Sequence, residues 1–238
     1  MVIINRPAYD AATYWGIMFI AILVTGLWVL LLKRQKKRYG VFAFIAISVM
    51  IVLNLVGDQL AWFTHLDFLP PPFVVMNLAI LTFISVLGMG YVGQAGNNLV
   101  RNMPVQTLVA LQIFRLPLEL LMLRAAKLGI MPIEFSMLGY NFDVLTGLGA
   151  LLLILYAVRK KSIPKVWVWS WNVMGIGFLL VIAVLAVMTS PNLHAFGGEP
   201  AHINSWILYF PYSLLPSLLV SFAVFGHLLL TRKLLQEA

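Results

Sequence analysis

Cysteine is absent from this 238-residue chain, and charged residues make up only 10% of it. Without cysteine the protein has no disulfide, no thiolate nucleophile and no thiolate metal ligand. A soluble domain of this length carries about a quarter charged residues, so this composition, with 62% hydrophobic residues, argues against a soluble protein. The sequence also lacks a phosphate-binding loop, a GxSxG turn and a dinucleotide-binding glycine motif. It therefore offers no support for the enzyme classes that these motifs mark.

Long apolar stretches fill most of the sequence. A bilayer core is crossed by about 20 mostly apolar residues in a helix, and backbone groups in lipid must be satisfied within the segment, which favours helices. The short alternating segments of a membrane β-barrel are not found. We therefore predict an all-α membrane protein, a seven-transmembrane-helix bundle that forms a single domain over residues 1–238. The predicted spans are 12–32, 41–62, 73–92, 105–123, 142–158, 166–189 and 206–230.

Basic residues are sorted between alternate gaps. Lys and Arg favour cytoplasmic loops, and twelve of the sixteen lie after the first, third and fifth spans or in the C-terminal tail, against three on the opposite side. This predicts an outside N-terminus and a cytoplasmic C-terminus. Each basic run adjoins a span, which favours topology and attraction to anionic lipids over nucleic-acid binding. The twelve are Lys33, Arg34, Lys36, Lys37, Arg38, Arg101, Arg159, Lys160, Lys161, Lys165, Arg232 and Lys233.

Ionisable side chains within the predicted spans concentrate in the outer half. Arg115 lies near the middle of the fourth span, with Glu119 one turn farther out. A charge at the centre of a span costs about 3 kcal/mol and usually has an internal partner. Glu119 is the nearest candidate, and Asp58 and Asp143 are within reach from other helices.

We therefore predict an outward-facing polar cavity that binds or carries a small polar ligand or ion. Arginine can hold an anionic group with two hydrogen bonds, and a buried carboxylate can carry a proton. The predicted ligand-binding residues are Asp58, His65, Arg115, Glu119, Asn141, Asp143 and Tyr209.

Structural roles compete with this hypothesis. Arg115 and Glu119 can form an intrahelical pair that serves only insertion of the fourth span. Asp143, with Asn141, can cap the fifth helix, where negative charge suits the helix dipole. His227, near the inner end of the seventh span, fits a packing or interface role. Prolines at positions 117, 211 and 216 are expected to bend the fourth and seventh helices.

No cofactor or metal is predicted. A retinal protein needs a lysine in its seventh helix, and the predicted spans contain none. The outer-loop residues His194, Glu199 and His202 lack the spacings of zinc motifs, even with His65 nearby. The sequence leaves the oligomeric state open.

Three stretches of the C-terminal half carry a resemblance to known proteins. They are Leu111–Ala150, the pair Trp171-Asn172, and Glu199–Leu230, with the marked features Phe114-Arg115 before Glu119, Asn141-Phe142-Asp143, Glu199-Pro200, Phe210-Pro211, Leu215-Pro216 and His227. In these the chain resembles a family of uncharacterised bacterial integral-membrane proteins. The resemblance implies a bacterial inner-membrane location and supplies no substrate.

Three function classes follow. The preferred class is a carrier or binding protein for a small ligand, with proton coupling as an option. The first alternative is a membrane-embedded enzyme that acts on a lipid or envelope precursor through a carboxylate pair. The second is a non-catalytic assembly or sensor subunit, against which the lack of a soluble domain weighs.

Overall fold

The computed structural model describes residues 6–63, 94–191 and 193–237, and regular structure within these ranges is entirely helical. The predicted all-α fold is confirmed there, whereas the third predicted span, 73–92, lies outside the described residues. The α-helices of the described ranges are α1 (Ala11–Gln35), α2 (Lys37–Gln59), α3 (Gln94–Asn102), α4 (Val105–Ala110), α5 (Arg115–Lys127), α6 (Val144–Lys160), α7 (Lys165–Met188) and α8 (Ser221–Gln236).

Four helical segments of the described residues are long and apolar enough to cross a membrane. They are α1, α2, α7 and the segment Leu215–Gln236, in which a π-helical stretch, Leu215–Val220, runs directly into α8. Three of the four leave most of their apolar windows exposed, whereas 67% of the Leu215–Gln236 window is buried. Apolar surface of this kind is expected of helices that face lipid, so α8 is the inner helix and the other three are peripheral.

The connection between α1 and α2 is shorter than the sequence suggested. A single extended residue, Lys36, separates the helices, so the basic run that was predicted as a loop instead forms the two helix ends. The turn is tight, because a Cβ on Gly40 would lie 2.7 Å from the Cα of Lys33. Glycine at position 40 therefore permits the close antiparallel start of α2.

A second predicted turn is also helical. The polar stretch 93–98 was interpreted as a loop, but α3 begins at Gln94 and continues to Asn102. Its Leu99 and Val100 are fully buried, and Lys233 at the end of α8 donates to the carbonyl of Val100 at 2.9 Å. Burial of one apolar edge outweighs the turn-forming composition of the stretch.

The fourth predicted span, 105–123, is broken in two. Residues 111–114 form turns between α4 and α5. Pro117 has no N–H to donate to the carbonyl of Ile113, and that carbonyl accepts instead from Leu116 at 3.0 Å. Pro117 thus falls in the first turn of a new helix, where a missing N–H costs little, instead of bending a continuous one.

The seventh predicted span, 206–230, begins later than expected. A short 3₁₀ turn, Trp206–Leu208, is followed by an extended Tyr209 and further turns. Regular helix starts at Leu215 and continues past the predicted end to Gln236. Pro211 therefore precedes the helix instead of bending it, and Pro216 lies in the π-helical stretch, which is accommodated at the helix start.

Polar contacts define the two ends of the bundle. At the basic end, Asn102 donates to Gln35 at 2.9 Å, and Lys165 at the start of α7 donates to the carbonyl of Glu237. At the opposite end, which we call the loop end, Arg124 pairs with Asp10 at 2.8 Å. The basic residues that the sequence assigned to one side therefore meet at one end.

Candidate functional site

Arg115 is the first residue of α5, and it is 1% exposed. Its Nε forms an ion pair with Oδ2 of Asp143 at 2.6 Å, and its Nη1 donates to Nε2 of His227 at 2.9 Å. The guanidinium therefore joins the starts of α5 and α6 to the middle of α8. The sequence named Glu119 as the nearest partner, and the ion pair is instead made with Asp143.

The hydrogen bonds of His227 fix its protonation. Arginine only donates, so Nε2 of His227 accepts and its Nδ1 donates to Oδ1 of Asn172 at 2.8 Å. Asn172 donates onward to Oγ1 of Thr231 at 2.7 Å, and this hydroxyl donates to the carbonyl of His227. The chain of donors is consistent only with a neutral imidazole. His227 is thus a buried link between Arg115 and α7, not an interface residue.

Glu119 is held by a different group. Both of its oxygens accept from Nδ2 of Asn141, at 3.0 and 2.9 Å, and the same amide nitrogen donates to the carbonyl of Phe135. Oδ1 of Asn141 accepts from the backbone N–H of Asp143 at 3.0 Å. Asp143 occupies the N-cap position of α6 but makes no capping bond with its side chain, because that carboxylate is turned to Arg115. The expected capping bond from Asp143 is therefore absent, and Asn141 instead binds the backbone N–H of the N-cap residue itself.

A cavity of about 90 Å³ adjoins this cluster. Most of its lining is apolar and comes from α5, α7 and the segment Leu215–Ala223. Three lining residues each carry a buried polar atom that has no hydrogen-bond partner within the described residues: Nη2 of Arg115, Oδ1 of Asn204 and Nε1 of Trp206. The carboxylate of Asp143 is paired with Arg115 and lies beside the side chain of Thr146. The surface of the cavity is apolar, and these polar atoms are buried behind it.

The predicted site residues separate into two groups. Arg115, Glu119 and Asp143 line the cavity, with Asn141 directly behind Glu119. Asp58 does not belong to this group, because its carboxylate pairs with Arg6 at 2.7 Å.

Tyr209 lies with Asp58, since the Arg6 guanidinium is stacked 5.0 Å from the centroid of its ring. Asp58 and Tyr209 are not among the residues that line the cavity beside Arg115, and both side chains meet Arg6 instead. His65 lies outside the described residues.

Close backbone approach positions the cluster. A Cβ on Gly175 in α7 would lie 2.6 Å from Nε2 of His227, and a Cβ on Gly147 in α6 would lie 2.5 Å from the backbone nitrogen of Leu116. These glycines allow α7 and α6 to pack directly against the groups that hold Arg115. Trp171 closes the same region, with its ring 5.1 Å from that of His227.

Sequence reasoning missed Asn204 and Trp206 as cavity residues and did not predict the hydrogen bond between His227 and Arg115. The pair Trp171-Asn172 and His227 were noted as points of resemblance, and both prove to surround Arg115. Asn204 lies in irregular chain and Trp206 begins a short 3₁₀ turn, so neither belongs to a helix face that sequence periodicity could assign to the cavity.

At the loop end, the hydrogen bond from Arg124 to Asp10, helped by the bond from Thr13, lowers the pKa of Asp10 below its ordinary value. Nδ1 of His202 forms a hydrogen bond with Oε1 of Glu134 at 2.6 Å. In the described parts of the chain, no three His, Asp or Glu side chains are arranged to hold a metal ion.

Comparison with known proteins gives a family and no function. A family model described as a domain of unknown function, DUF8737, matches residues 71–235. No curated protein matches the chain significantly, and no solved structure does.

Proposed function

The chain belongs to the DUF8737 family, and we propose that it is a membrane-embedded protein that binds or carries a small neutral ligand in the cavity beside Arg115. The observation that carries the proposal is the cavity of about 90 Å³ beside Arg115, with unpaired polar atoms of Arg115, Asn204 and Trp206 buried directly behind its apolar surface. A buried polar atom without a partner costs about 1–3 kcal/mol. A ligand with hydroxyl or amide groups would supply the missing bonds.

The charge balance favours a neutral ligand over the anion suggested by the sequence. Nε and Nη1 of Arg115 are engaged by Asp143 and His227, so only Nη2 is free. The guanidinium thus has no free edge with which to hold an anion through two hydrogen bonds. Glu119 adds a second carboxylate to the lining, and an anionic ligand would bring further negative charge into a region of low dielectric.

The arrangement of the carboxylates supports binding more than acid–base catalysis. Glu119 accepts two bonds from Asn141, and Asp143 is paired with Arg115. Each acid is thereby held in a fixed structural contact. An enzyme that acts through a carboxylate pair would need at least one of these groups to be released for proton transfer.

The proposal includes seven spans, an outside N-terminus and a location in the bacterial inner membrane. The meeting of basic residues from α1, α3, α7 and α8 at one end supports this orientation under the positive-inside rule. Asn204 and Trp206, which line the cavity, belong to the irregular segment at the loop end. In this orientation the cavity lies in the outer half of the membrane.

The test is ligand-observed saturation-transfer NMR on the full chain in phosphatidylcholine nanodiscs, with propane-1,2-diol as the neutral probe. Propionate, also a three-carbon molecule, is the anionic comparator. We expect saturation transfer to the diol and little to propionate. Asn204→Leu should abolish the diol signal, since it removes an acceptor that lines the cavity.

The matched control is Gln112→Leu. Gln112 is also a buried amide whose Oε1 has no partner among the described residues, but it does not line the cavity. This variant should bind the diol as well as the original protein. Equal signals from Asn204→Leu and the original protein, or stronger binding of propionate than of the diol, would refute the proposal.

A further inference from the structure

A groove of about 340 Å³ lies at the basic end of the bundle, between the starts of α4 and α7 and the end of α8. It shares no lining residue with the cavity beside Arg115. Polar groups make up a large share of its surface, whereas the surface of that cavity is apolar. Its volume falls within the roughly 300–1,000 Å³ of clefts that hold small ligands. The polar lining residues are Gln106, Ser162, Lys165, Lys233 and Glu237.

The groove lies at the ends of two membrane-length helices. α7 begins at Lys165 and has 24 residues, and the segment Leu215–Gln236 ends directly before Glu237. Both are longer than the roughly 20 residues that cross the hydrocarbon core, so their ends lie at the level of the lipid head groups. In the proposed orientation this level is on the cytoplasmic side, where anionic lipids attract basic groups.

Two lysines of the groove converge on one residue. Nζ of Lys165 donates to the backbone carbonyl of Glu237, and Nζ of Lys233 lies 3.3 Å from the carboxylate oxygen Oε1 of the same residue. The two ammonium groups are therefore close enough to bind a single small group that has several acceptor oxygens. A phosphate is such a group, and lysine binds it as a point charge.

Glu237 is the residue that a phosphate would replace in this groove. Its side chain is 42% exposed, and it follows the last residue of α8, Gln236. An exposed pair between lysine and glutamate contributes little, so its loss is easily offset. Lys233 keeps its bond to the carbonyl of Val100, which positions the ammonium group without neutralising it. Once Glu237 has turned away, the described residues that line the groove carry two positive charges and no negative charge.

We infer that this groove binds the phosphate of an anionic phospholipid, with Lys165 and Lys233 as the cationic ligands. Ser162 and Gln106 line the same groove, and their hydroxyl and amide groups can donate to the remaining phosphate oxygens. The other lining residues are apolar, which suits the glycerol end of a lipid better than a fully hydrated phosphate ion. The inference is independent of the ligand proposed for the cavity beside Arg115.

The experiment is native mass spectrometry of the full chain in a neutral detergent. The chain is titrated with phosphatidic acid, with phosphatidylcholine of the same acyl chains, or with inorganic phosphate. We expect one saturable site for phosphatidic acid. Phosphatidylcholine should bind weakly because its choline offsets the phosphate charge, and inorganic phosphate should bind weakly because it makes no contact with the apolar lining. Lys165→Met should raise the dissociation constant for phosphatidic acid about tenfold or more, through loss of a charge-assisted hydrogen bond.

Lys160→Met is the matched control. It removes the same charge from an exposed position at the same end, but Lys160 does not line the groove, so the dissociation constant should change by less than about twofold because attraction at a distance is screened. Glu237→Gln removes the competing carboxylate and should tighten binding severalfold, a gain that misfolding would not produce.

Equal losses in Lys160→Met and Lys165→Met would mean that bulk charge alone attracts the lipid, and would overturn the inference. Weaker binding by Glu237→Gln would also overturn it. Equal affinity for inorganic phosphate and phosphatidic acid would make the groove a site for a soluble phosphate and overturn the assignment to a lipid.

Discussion

At the residue scale, the buried charge of Arg115 is stabilised by contacts from two other helices. One carboxylate from the start of α6 and one imidazole from the middle of α8 bind two of its nitrogens. A buried charge whose partner is removed costs far more than the pair contributes. Asp143 and Glu119 are therefore not equivalent, although both acids line the cavity.

Asp143→Asn should destabilise the protein by about 3 kcal/mol, because it leaves the Arg115 charge without its counter-ion. Glu119→Gln should cost about 1 kcal/mol or less, since the amide oxygen can still accept from Asn141. Unfolding in mixed detergent micelles measures both. A larger loss for Glu119→Gln than for Asp143→Asn would show that Glu119 is the true counter-ion.

Sequence patterns found the residues of this cluster better than they found its pairing. Spacing along one helix placed Glu119 beside Arg115, but the direction of each side chain depends on α6 and α8, which spacing does not describe. The same limit explains Asp58, whose partner Arg6 precedes the first helix. Composition predicted the helical class because long apolar runs have few alternatives in lipid.

At the element scale, helix ends and glycines decide the geometry more than apolar runs do. The fourth span breaks at residues 111–114, and the last helix starts at Leu215. Hydropathy does not detect either feature, because apolar residues in a turn have the same hydropathy as apolar residues in a helix. The prolines at positions 117, 211 and 216 lie close to these breaks, although the sequence predicted bends there. A proline leaves a backbone carbonyl without its helical donor, and that carbonyl can find another donor either in a bent helix or at a helix start, so the sequence alone does not distinguish the two.

Gly175→Ala should destabilise the protein, because the new methyl group would lie 2.6 Å from Nε2 of His227 and displace the acceptor of Arg115. Gly177→Ala is the matched control two residues along α7, where a Cβ meets nothing within 4 Å. It should be neutral or stabilising by up to about 1 kcal/mol through helix propensity. Thermal unfolding in nanodiscs compares them, and equal effects would contradict the close packing of α7 on His227.

Asp10 anchors the start of α1, where its carboxylate accepts from Thr13 and from Arg124. Its pKa is lowered by the bond from Arg124 first and by Thr13 second. The stabilisation is therefore complete above the ordinary pKa of 3.8 and is lost as the pH falls through the lowered folded value.

Asp10→Asn should accordingly melt at a lower temperature than the original protein at pH 7, and this difference should shrink as the pH is lowered below 3.8. Melting curves of both proteins across the acid range provide the measurement. Leu235→Ala, a change at an exposed residue near the other end, should show no such trend. A difference that stays constant with pH would mean that Asp10 is not ionised in the folded protein.

At the scale of the whole molecule, α8 belongs to the most buried of the four membrane-length segments of the described residues. It packs against α3, α4 and α7, and it supplies His227 to the cluster, while Trp28 of α1 stacks on Phe222. Basic side chains meet at one end of this arrangement, and the irregular segment that contributes Asn204 lies at the other. The orientation of the protein in the membrane therefore determines whether the cavity lies in the outer or the inner half of the bilayer.

The natural absence of cysteine makes the orientation directly measurable. Single changes Ser162→Cys, at the basic end between α6 and α7, and Gly198→Cys, in the loop-end segment, are both at exposed positions. In intact cells, a membrane-impermeant maleimide should label Gly198→Cys, and it should label Ser162→Cys only after permeabilisation. The reverse pattern would invert the proposed topology and place the cavity in the inner half.

The separation of Arg115 from its partners along the chain has a consequence for how the protein is made. The residues that hold its guanidinium follow 28 and 112 positions later, at Asp143 and His227. While the ribosome is still translating the middle of the chain, α5 is a 13-residue segment that bears a charge with no counter-ion, too short to rest stably across a bilayer by itself. Asp143 supplies the counter-ion, but the hydrogen bond from Arg115 to His227 forms only after the last helix emerges, so nascent chains that stop before residue 227 should be degraded faster by membrane quality-control proteases than the full chain.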